Sequence, residues 1–268
     1  MGILLSSGKR DFILDPVVTN TAGTLGFSDE ALHHVDLSSL GAFITNPISL
    51  DPRSVARPPR MLTFPGGFLL HTGHPNPGFH ATLRKHQGTW EDLPCPVIVH
   101  LLGQSPSDIT RMVEKLEEVE VIASIELGLE ATDPDTVADL TTAAVMGELP
   151  VIVQVPLNCS EEIILSIVHA GANALSLGPP RGSLPGPGGE IVSGRFLGPA
   201  LFPLTLNTVS RLREILDLPI FASGGISNQE QIKALLEAGA QAIQLDSVLW
   251  TEPEKVLPMQ DLMLDNNI

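Results

Sequence analysis

The sequence predicts a (β/α)8 barrel with an N-terminal hairpin. A proline precedes a short β-branched apolar run at three places, residues 97–99, 151–153 and 220–222. An Ala-Gly-Ala sequence at residues 170–172 and 238–240 ends a helical pattern, and a buried strand follows each copy at once. Three further strand candidates, at residues 17–20, 42–45 and 122–127, bring the number to eight. Eight strands that alternate with helices predict a closed parallel barrel.

Between these strands, apolar residues recur at helical spacing in five segments of helix length. They are residues 107–118, 135–146, 161–169, 205–216 and 228–237. Before the first barrel strand, residues 3–5 and 11–14 flank Ser7-Gly8 and predict the hairpin. The segments 51–78 and 178–199 are rich in Gly and Pro and predict two long loops, the second of them over the barrel mouth.

The length of 268 residues suits one barrel domain over residues 1–268, because barrels of this kind have about 250 residues. An open doubly wound sheet is the alternative, but it needs neither eight units nor an opening hairpin. No linker is long enough to divide the chain.

The composition excludes several classes of partner. Asp and Glu number 31 against 15 Lys and Arg, so the chain carries a formal charge of -16 that repels nucleic acid and anionic lipid. No apolar run reaches the roughly 18 residues of a membrane span, and residues 1–10 lack the pattern of a secretory signal. The two cysteines are too few for a disulfide scaffold and fit a cytoplasmic location. We expect a small-molecule ligand.

A glycine turn, Ser223-Gly224-Gly225-Ile226, follows the predicted seventh strand and precedes a helix. Glycines let backbone amides turn inward, and a helix N-terminus adds partial positive charge, so this turn has the form of a phosphate site. Its place after strand seven of a barrel favours a phosphorylated ligand. The alternative is a tight turn with an N-cap, which requires no ligand.

Six short motifs follow one another along the chain. They are residues 19–26 (Thr-Asn-Thr-Ala-Gly-Thr-Leu-Gly), 49–53 (Ser-Leu-Asp-Pro-Arg), 58–60 (Pro-Pro-Arg), Gly73 with 76–78 (Asn-Pro-Gly), 198–200 (Gly-Pro-Ala) and 224–226 (Gly-Gly-Ile). Together they resemble dihydroorotate dehydrogenase of the soluble class 1 type, in order and spacing, over nearly the whole chain. The resemblance implies an FMN-binding barrel that oxidises dihydroorotate to orotate in pyrimidine metabolism, and it implies a homodimer.

The same resemblance carries the FMN-binding positions over to this chain. They fall on Thr21, Ala22, Gly23, Gly198, Ser223, Gly224, Gly225 and Ser247. We therefore expect FMN at the barrel mouth near these residues.

Departures from the family pattern concern its charged and proton-accepting side chains. Two lysines that serve flavin and substrate fall on Asn46 and Gln154, and the class 1 catalytic cysteine falls on Ala131, which cannot take a proton. In the last phosphate turn, Asp246 stands where the family has glycine, and a carboxylate there opposes a phosphate. Family asparagines fall on Leu70, His100 and Pro179. We assign no catalytic residue.

Imidazole and carboxylate groups outside these motifs are weaker candidates. The sequence offers His71, His74, His80 and His100 without a paired acidic ligand, so we expect no metal site. Glu126 and Glu130 lie at the end of the fourth strand, where a glutamate that faces the mouth is a candidate base.

One thiol and two guanidinium groups complete the candidates. Cys159 is a nucleophile only beside a cation or an imidazole, and otherwise it is a small buried side chain. Arg181 and Arg195, in the predicted mouth loop, are the best remaining cations for an anionic ligand.

Three functions remain open on the sequence. The first is a dihydroorotate dehydrogenase-type FMN oxidoreductase with a rebuilt site, and the second is a non-catalytic barrel for binding or assembly. The third is a binder of another phosphorylated small molecule. The glycine turn favours the first and third, whereas the replaced lysines and cysteine favour the second.

Overall fold

The computed structural model describes residues 2–28, 35–130, 133–256 and 259. The strands in these ranges are β1 Ile3–Ser6, β2 Asp11–Leu14, β3 Val18–Asn20, β4 Phe43–Ile44, β5 Ile48–Ser49, β6 Met61–Phe64, β7 Gly67–Leu70, β8 Val97–Leu102, β9 Ile122–Gly128, β10 Val151–Pro156, β11 Ala174–Gly178, β12 Arg181–Pro185, β13 Ile191–Leu197, β14 Ile220–Ala222 and β15 Ala242–Leu245. The helices are α1 Phe79–Glu91, α2 Pro106–Leu116, α3 Pro134–Val145, α4 Glu161–His169, α5 Phe202–Ile215, α6 Gln229–Glu237 and α7 Val248–Thr251.

Eight parallel strands form the barrel in the order β3-β15-β14-β11-β10-β9-β8-β4. A parallel bridge between Thr19 and Ala42 joins the two ends of this sheet, so the barrel closes. The eight strands are those that the sequence predicts, and the (β/α)8 fold is confirmed. The short strand β5 adds to the mouth end of β8, where Ile48 pairs with Leu101.

Side-chain caps define where the predicted helices begin. Ser105, Asp133, Ser160 and Asn228 each accept a hydrogen bond from a backbone N–H in the first turn of α2, α3, α4 and α6. A proline follows the cap of α2 and of α3, at the position where its missing N–H costs nothing. The predicted helices lie within three residues of the observed ones, because caps and periodicity are local signals.

The barrel interior changes from apolar to polar along the strands. Near the N-terminal ends it is filled by Ala42, Ile44, Ile98, Ile152, Ala174, Phe221 and Ala242. The predicted hairpin, β1 paired antiparallel with β2, is confirmed, and its Leu5, Phe12 and Leu14 cover this apolar layer. Two residues further along their strands stand His100, Ser176 and Gln244, which share the inward face because side chains two apart point the same way.

The prediction of two long loops at the mouth is wrong, because both segments contain β-hairpins. Segment 51–78 contains the hairpin β6–β7 and segment 178–199 contains β12–β13, and the hairpins join in an antiparallel sheet of order β12-β13-β7-β6. Two of the glycines lie within strands and are required by packing: a Cβ on Gly182 would collide with the Phe196 ring, and one on Gly194 would collide with the Leu70 carbonyl. Gly and Pro content therefore concealed these strands.

Helix α1 also lacks a counterpart in the prediction. Its buried face includes Phe79, Leu83 and Trp90, but Thr82 and His86 share that face and interrupt the apolar stripe. Polar residues at buried positions hide a helix from a reading of apolar periodicity.

Replacing Phe12 with alanine tests the hairpin's role as a plug. Phe12 is 6% exposed within the apolar layer, whereas its neighbour Ile13 is 65% exposed. We expect Phe12→Ala to lower the free energy of unfolding by about 3–5 kcal/mol, since a buried aromatic side chain is lost. Ile13→Ala is the control and should change it by less than about 0.5 kcal/mol. Urea unfolding measures both, and equal losses would show that the hairpin does not seal the barrel.

Candidate functional site

Two adjoining cavities lie at the carboxyl ends of the barrel strands. The larger, of about 670 Å³, is lined mainly by residues at the ends of β8 to β11. The smaller, of about 310 Å³, is lined by residues after β3, β4, β14 and β15. Both are bounded by Ala22, Pro47, His74, Pro179 and Arg195. Since active sites of these barrels lie at this end, the cavities are the candidate site.

A buried carboxylate organises the floor of this site. Glu126, on β9, is 0% exposed, and its Oε2 lies 2.6 Å from Nδ1 of His100 on β8. Its Oε1 accepts hydrogen bonds from Ser176 Oγ at 2.7 Å and from Gln244 Nε2 at 2.9 Å. Burial acts to raise the pKa of Glu126, but His100 and the other donors outweigh it and hold the pKa below its ordinary value. The carboxylate is therefore ionised.

His100 connects this network to the larger cavity. Its backbone N–H donates to Thr45 Oγ1 at 3.1 Å, and Nδ1 is engaged by Glu126. The other ring nitrogen, Nε2, lies against Gly128 at the cavity wall, where a Cβ on residue 128 would collide with it. Gly128 is thus a glycine because the imidazole occupies that space.

Two arginines face the larger cavity from the sheet above it. Arg181 on β12 and Arg195 on β13 are direct cross-strand partners. Within the described ranges neither guanidinium forms an ion pair, whereas the nearby Arg53 binds Glu130 through two hydrogen bonds of 3.0 and 3.1 Å. Burial first, and then the charge of Arg181, lower the pKa of Arg195 to about 10. Like charges placed opposite one another are unfavourable without an anion between them.

His74 lies between the two cavities. Burial is the main reason that its pKa falls to about 2, and the charges of nearby arginines, that of Arg195 first, add to the effect. The imidazole is therefore neutral near neutral pH and serves as a hydrogen-bonding group rather than as a cation.

The glycine turn is held by packing. Gly224 and Gly225 have φ of 121° and 75°, a region that favours glycine. A Cβ on Gly225 would lie 2.5 Å from the Phe202 backbone nitrogen, and one on Gly224 would lie 2.6 Å from Thr205 Oγ1. The turn thus packs against the start of α5, and of its residues Ser223 lines the smaller cavity.

Asp246 lies against the glycine turn, at the amide where the sequence predicts a phosphate. The residue is 4% exposed, its Oδ2 accepts the Gly225 N–H at 3.2 Å, and its Oδ1 accepts Ser247 Oγ at 3.2 Å. Burial raises the pKa of this carboxyl above its ordinary value. The amide that a phosphate would use already has a carboxylate partner. With Asp246 ionised, these residues do not fit the phosphate of FMN.

The other expected cofactor positions divide into two groups. Thr21, Ala22 and Gly23 line the smaller cavity, where they are available to a ligand. Gly198 instead packs on the β6–β7 turn, with a φ of 124° that favours glycine, and Ser247 is buried beside Asp246.

The residues that replace the family's lysines, and one cysteine, also lie at the barrel mouth. Gln154 lines the larger cavity and Asn46 the smaller, and the buried Asn46 Oδ1 has no hydrogen-bond partner among the described residues. Cys159 lines the larger cavity, and burial raises the pKa of its thiol, so it stays protonated. Ala131 lies outside the described residues.

Comparisons with known proteins identify the family. The family model for dihydroorotate dehydrogenase matches residues 11–177, which is more than half of the chain. The chain belongs to the dihydroorotate dehydrogenase family. A second model, for nitronate monooxygenase, matches residues 192–262.

Relatives in this family are bacterial proteins named dihydroorotate dehydrogenase B (NAD(+)), catalytic subunit. The protein from Pelobacter propionicus is 27% identical over 262 residues, covering 89% of this chain and 85% of its own length. The Desulforamulus reducens protein is 28% identical over 295 residues, covering 100% of this chain and 95% of its own length. The Desulforudis audaxviator protein is 29% identical over 259 residues, covering 89% of this chain and 84% of its own length.

Sequence reasoning found the members of the site but missed their pairing. His100 and Glu126 were separate candidates, and their contact follows only once β8 and β9 are adjacent and in register, with these two residues as partners. The sequence predicts a loop at Arg181 and Arg195, and it gives no sign that the two residues align across paired strands. None of the helices in the described part of the chain has the length and apolar character that a bilayer crossing requires.

His74→Asn tests the electrostatics of the mouth. The pKa of His74 falls from 6.5 to about 2 on folding, so the unfolded chain binds a proton that the folded chain does not, and stability falls as pH drops below about 6.5. We expect the wild type to lose at most about 1.4 kcal/mol per pH unit more than His74→Asn in this range. Asparagine tolerates the φ of 51° at this position.

Urea unfolding over a pH series measures the effect, with His169→Asn on the exposed end of α4 as the control. Parallel pH profiles for the wild type and His74→Asn would contradict this account of the cavity.

Proposed function

We propose that the chain is a dihydroorotate dehydrogenase-type oxidoreductase that binds a small carboxylate substrate at the barrel mouth. The observation that carries the proposal is the pair Arg181 and Arg195, which faces the larger cavity without an ion-pair partner among the described residues. The chain carries a formal charge of -16, but two adjacent arginines without an ion-pair partner among the described residues form a local patch of positive charge. Such a patch suits an anionic ligand. Guanidinium groups bind carboxylates through paired, charge-assisted hydrogen bonds.

The arginines also explain the missing lysines. The family's two lysine positions are Asn46 and Gln154, and each lines one of the two cavities. Arg195 lines both cavities, so one guanidinium serves both places where the lysine charge is absent. With neutral residues at the lysine positions that the resemblance implies, the positive charge that lines these cavities lies on the β12–β13 hairpin, where it can serve as the counter-charge of an anionic substrate.

Flavin binding is governed by Asp246 in this proposal. A carboxylate about 5 Å from a phosphate, at an effective dielectric of about 20, costs roughly 3 kcal/mol per unit of phosphate charge. Protonation of Asp246 removes this repulsion and supplies a donor toward the phosphate. FMN therefore binds with uptake of a proton, and its affinity rises as pH falls.

A flavin-free binding barrel is the second candidate. It is favoured by the hydrogen bond from the Gly225 N–H to Asp246, which fills the phosphate-binding amide without any ligand. This candidate shares the arginine site with the first and differs from it in the response to FMN, so the two predictions below separate them.

Arg195→Gln is expected to weaken binding of orotate. Loss of a charge-assisted contact costs about 1.5–3 kcal/mol, which corresponds to roughly a ten- to hundredfold higher Kd. Isothermal titration calorimetry provides the measurement. The control is Arg211→Gln, which removes a guanidinium on α5 that is paired with Glu161 and should leave Kd unchanged. If the two variants bind orotate equally well, the arginine pair is not the carboxylate site.

Asp246→Asn is expected to tighten FMN binding by more than about a hundredfold near pH 8, since the charge but not the shape is removed. For the wild type, burial raises the pKa of Asp246, so acidification regains the neutral form and the FMN affinity should increase as the pH falls. Titrations that follow FMN fluorescence measure both effects, and Asp11→Asn on the hairpin at the opposite end of the barrel is the control.

Tight, pH-independent FMN binding by the wild type would refute the role of Asp246. Failure of Asp246→Asn to bind FMN at any pH would instead favour the flavin-free barrel.

A further inference from the structure

The buried pair of His100 and Glu126 is not explained by carboxylate binding. A glutamate with 0% exposure on an inward strand position is costly unless it is fully hydrogen-bonded, and here three side chains from three other strands serve it. A hydrophobic residue at position 126 would fill the barrel without any of them. The arrangement therefore points to a use for the imidazole that Glu126 holds.

The orientation of the imidazole leaves one nitrogen for a ligand. When Nδ1 donates to the ionised Glu126, Nε2 is the ring nitrogen that remains to exchange a proton with a ligand. Nε2 lies at the wall of the larger cavity beside Gly128, and no described residue hydrogen-bonds to it. Arg181 and Arg195 line the same cavity from the hairpin sheet, so a carboxylate ligand bound to the guanidinium groups shares this cavity with the imidazole.

We propose that Nε2 of His100 is the proton acceptor for the ligand that the arginine pair binds, with Glu126 as its positioning residue. The inference rests on the proposed carboxylate site. Other groups suit the task less well: Ala131 carries no acid–base group, and Cys159 remains a protonated thiol because burial raises its pKa.

The proposed step transfers a proton and changes no oxidation state, so it needs no oxidant. Nε2 takes the proton from a C–H bond next to a carbonyl group, and the electron pair of that bond moves into an enolate whose oxygen takes the negative charge. The arginines stabilise this charge. Water then protonates the enolate oxygen to give the enol, and the imidazolium passes its proton to the hydroxide that remains, which restores the neutral imidazole. The step can therefore be observed apart from any oxidation of the substrate.

The test uses oxaloacetate, a small dicarboxylate whose enol and keto forms interconvert by such a proton transfer and differ in ultraviolet absorption. The wild type should accelerate the interconversion above the buffer rate, with saturation. His100→Asn keeps an amide that donates to Glu126 but has no base, so kcat should fall by roughly 10²- to 10⁴-fold with little change in KM. Arg195→Gln should raise KM instead, and His169→Asn, on the exposed end of α4, is the matched control.

A second measurement begins with the wild-type protein, so its first result does not depend on the folding of a variant. In wild-type protein labelled with 15N in histidine, NMR should show one imidazole in the Nδ1–H tautomer whose Nε2 signal shifts when oxaloacetate is added. The Glu126→Gln variant should lose the tautomer preference and slow turnover while binding is kept.

The outcomes separate the inference from the proposal beneath it. Arginine-dependent binding of oxaloacetate, with equal turnover in the wild type and a folded His100→Asn, would overturn the role of His100 and leave the carboxylate site intact. An Nε2 signal that ignores the bound ligand would overturn it as well. Absence of arginine-dependent binding would overturn both.

Discussion

The buried carboxylate of Glu126 is the constraint on which the upper half of the barrel depends. An ionised group without solvent must be neutralised by hydrogen bonds, and removal of one partner of such a pair typically costs about 3–5 kcal/mol. Three strands therefore supply a polar inward residue at the same level, His100, Ser176 and Gln244. The apolar layer below is covered by the N-terminal hairpin. Burial of its side chains stabilises the fold and offsets the free-energy cost of burying the polar layer.

The positive charge at the barrel mouth lies on the arginines that line the same cavity as His100. The family's lysine positions are neutral here, and the positive charge stands on the hairpin β12–β13, which the second hairpin joins to form a sheet above the cavities. The proposed carboxylate ligand would thus share its cavity with the two guanidinium groups and the imidazole. Asp246, in contrast, takes a backbone amide from the phosphate end of the site. Under the proposed function, substrate binding and flavin binding therefore depend on different residues.

Local patterns decided how much could be predicted from the sequence. Apolar runs after prolines indicate strands such as Val151–Pro156, and caps indicate helices such as Glu161–His169. The barrel could therefore be predicted from the sequence. The hairpins were not, because Gly182 and Gly194 are there for contacts with residues distant in sequence or across a turn. Asp246 could be recognised as a misfit from its position alone. The pairing of His100 with Glu126 required the register of two strands.

A crystal structure of the chain with orotate tests the central claim most directly, because it locates the carboxylate, the arginines and the imidazole together. The account predicts that the orotate carboxylate lies between the guanidinium groups of Arg181 and Arg195, with the ring within hydrogen-bonding reach of His100 Nε2. Orotate bound elsewhere, or bound at the mouth with both arginines turned to solvent, would contradict it.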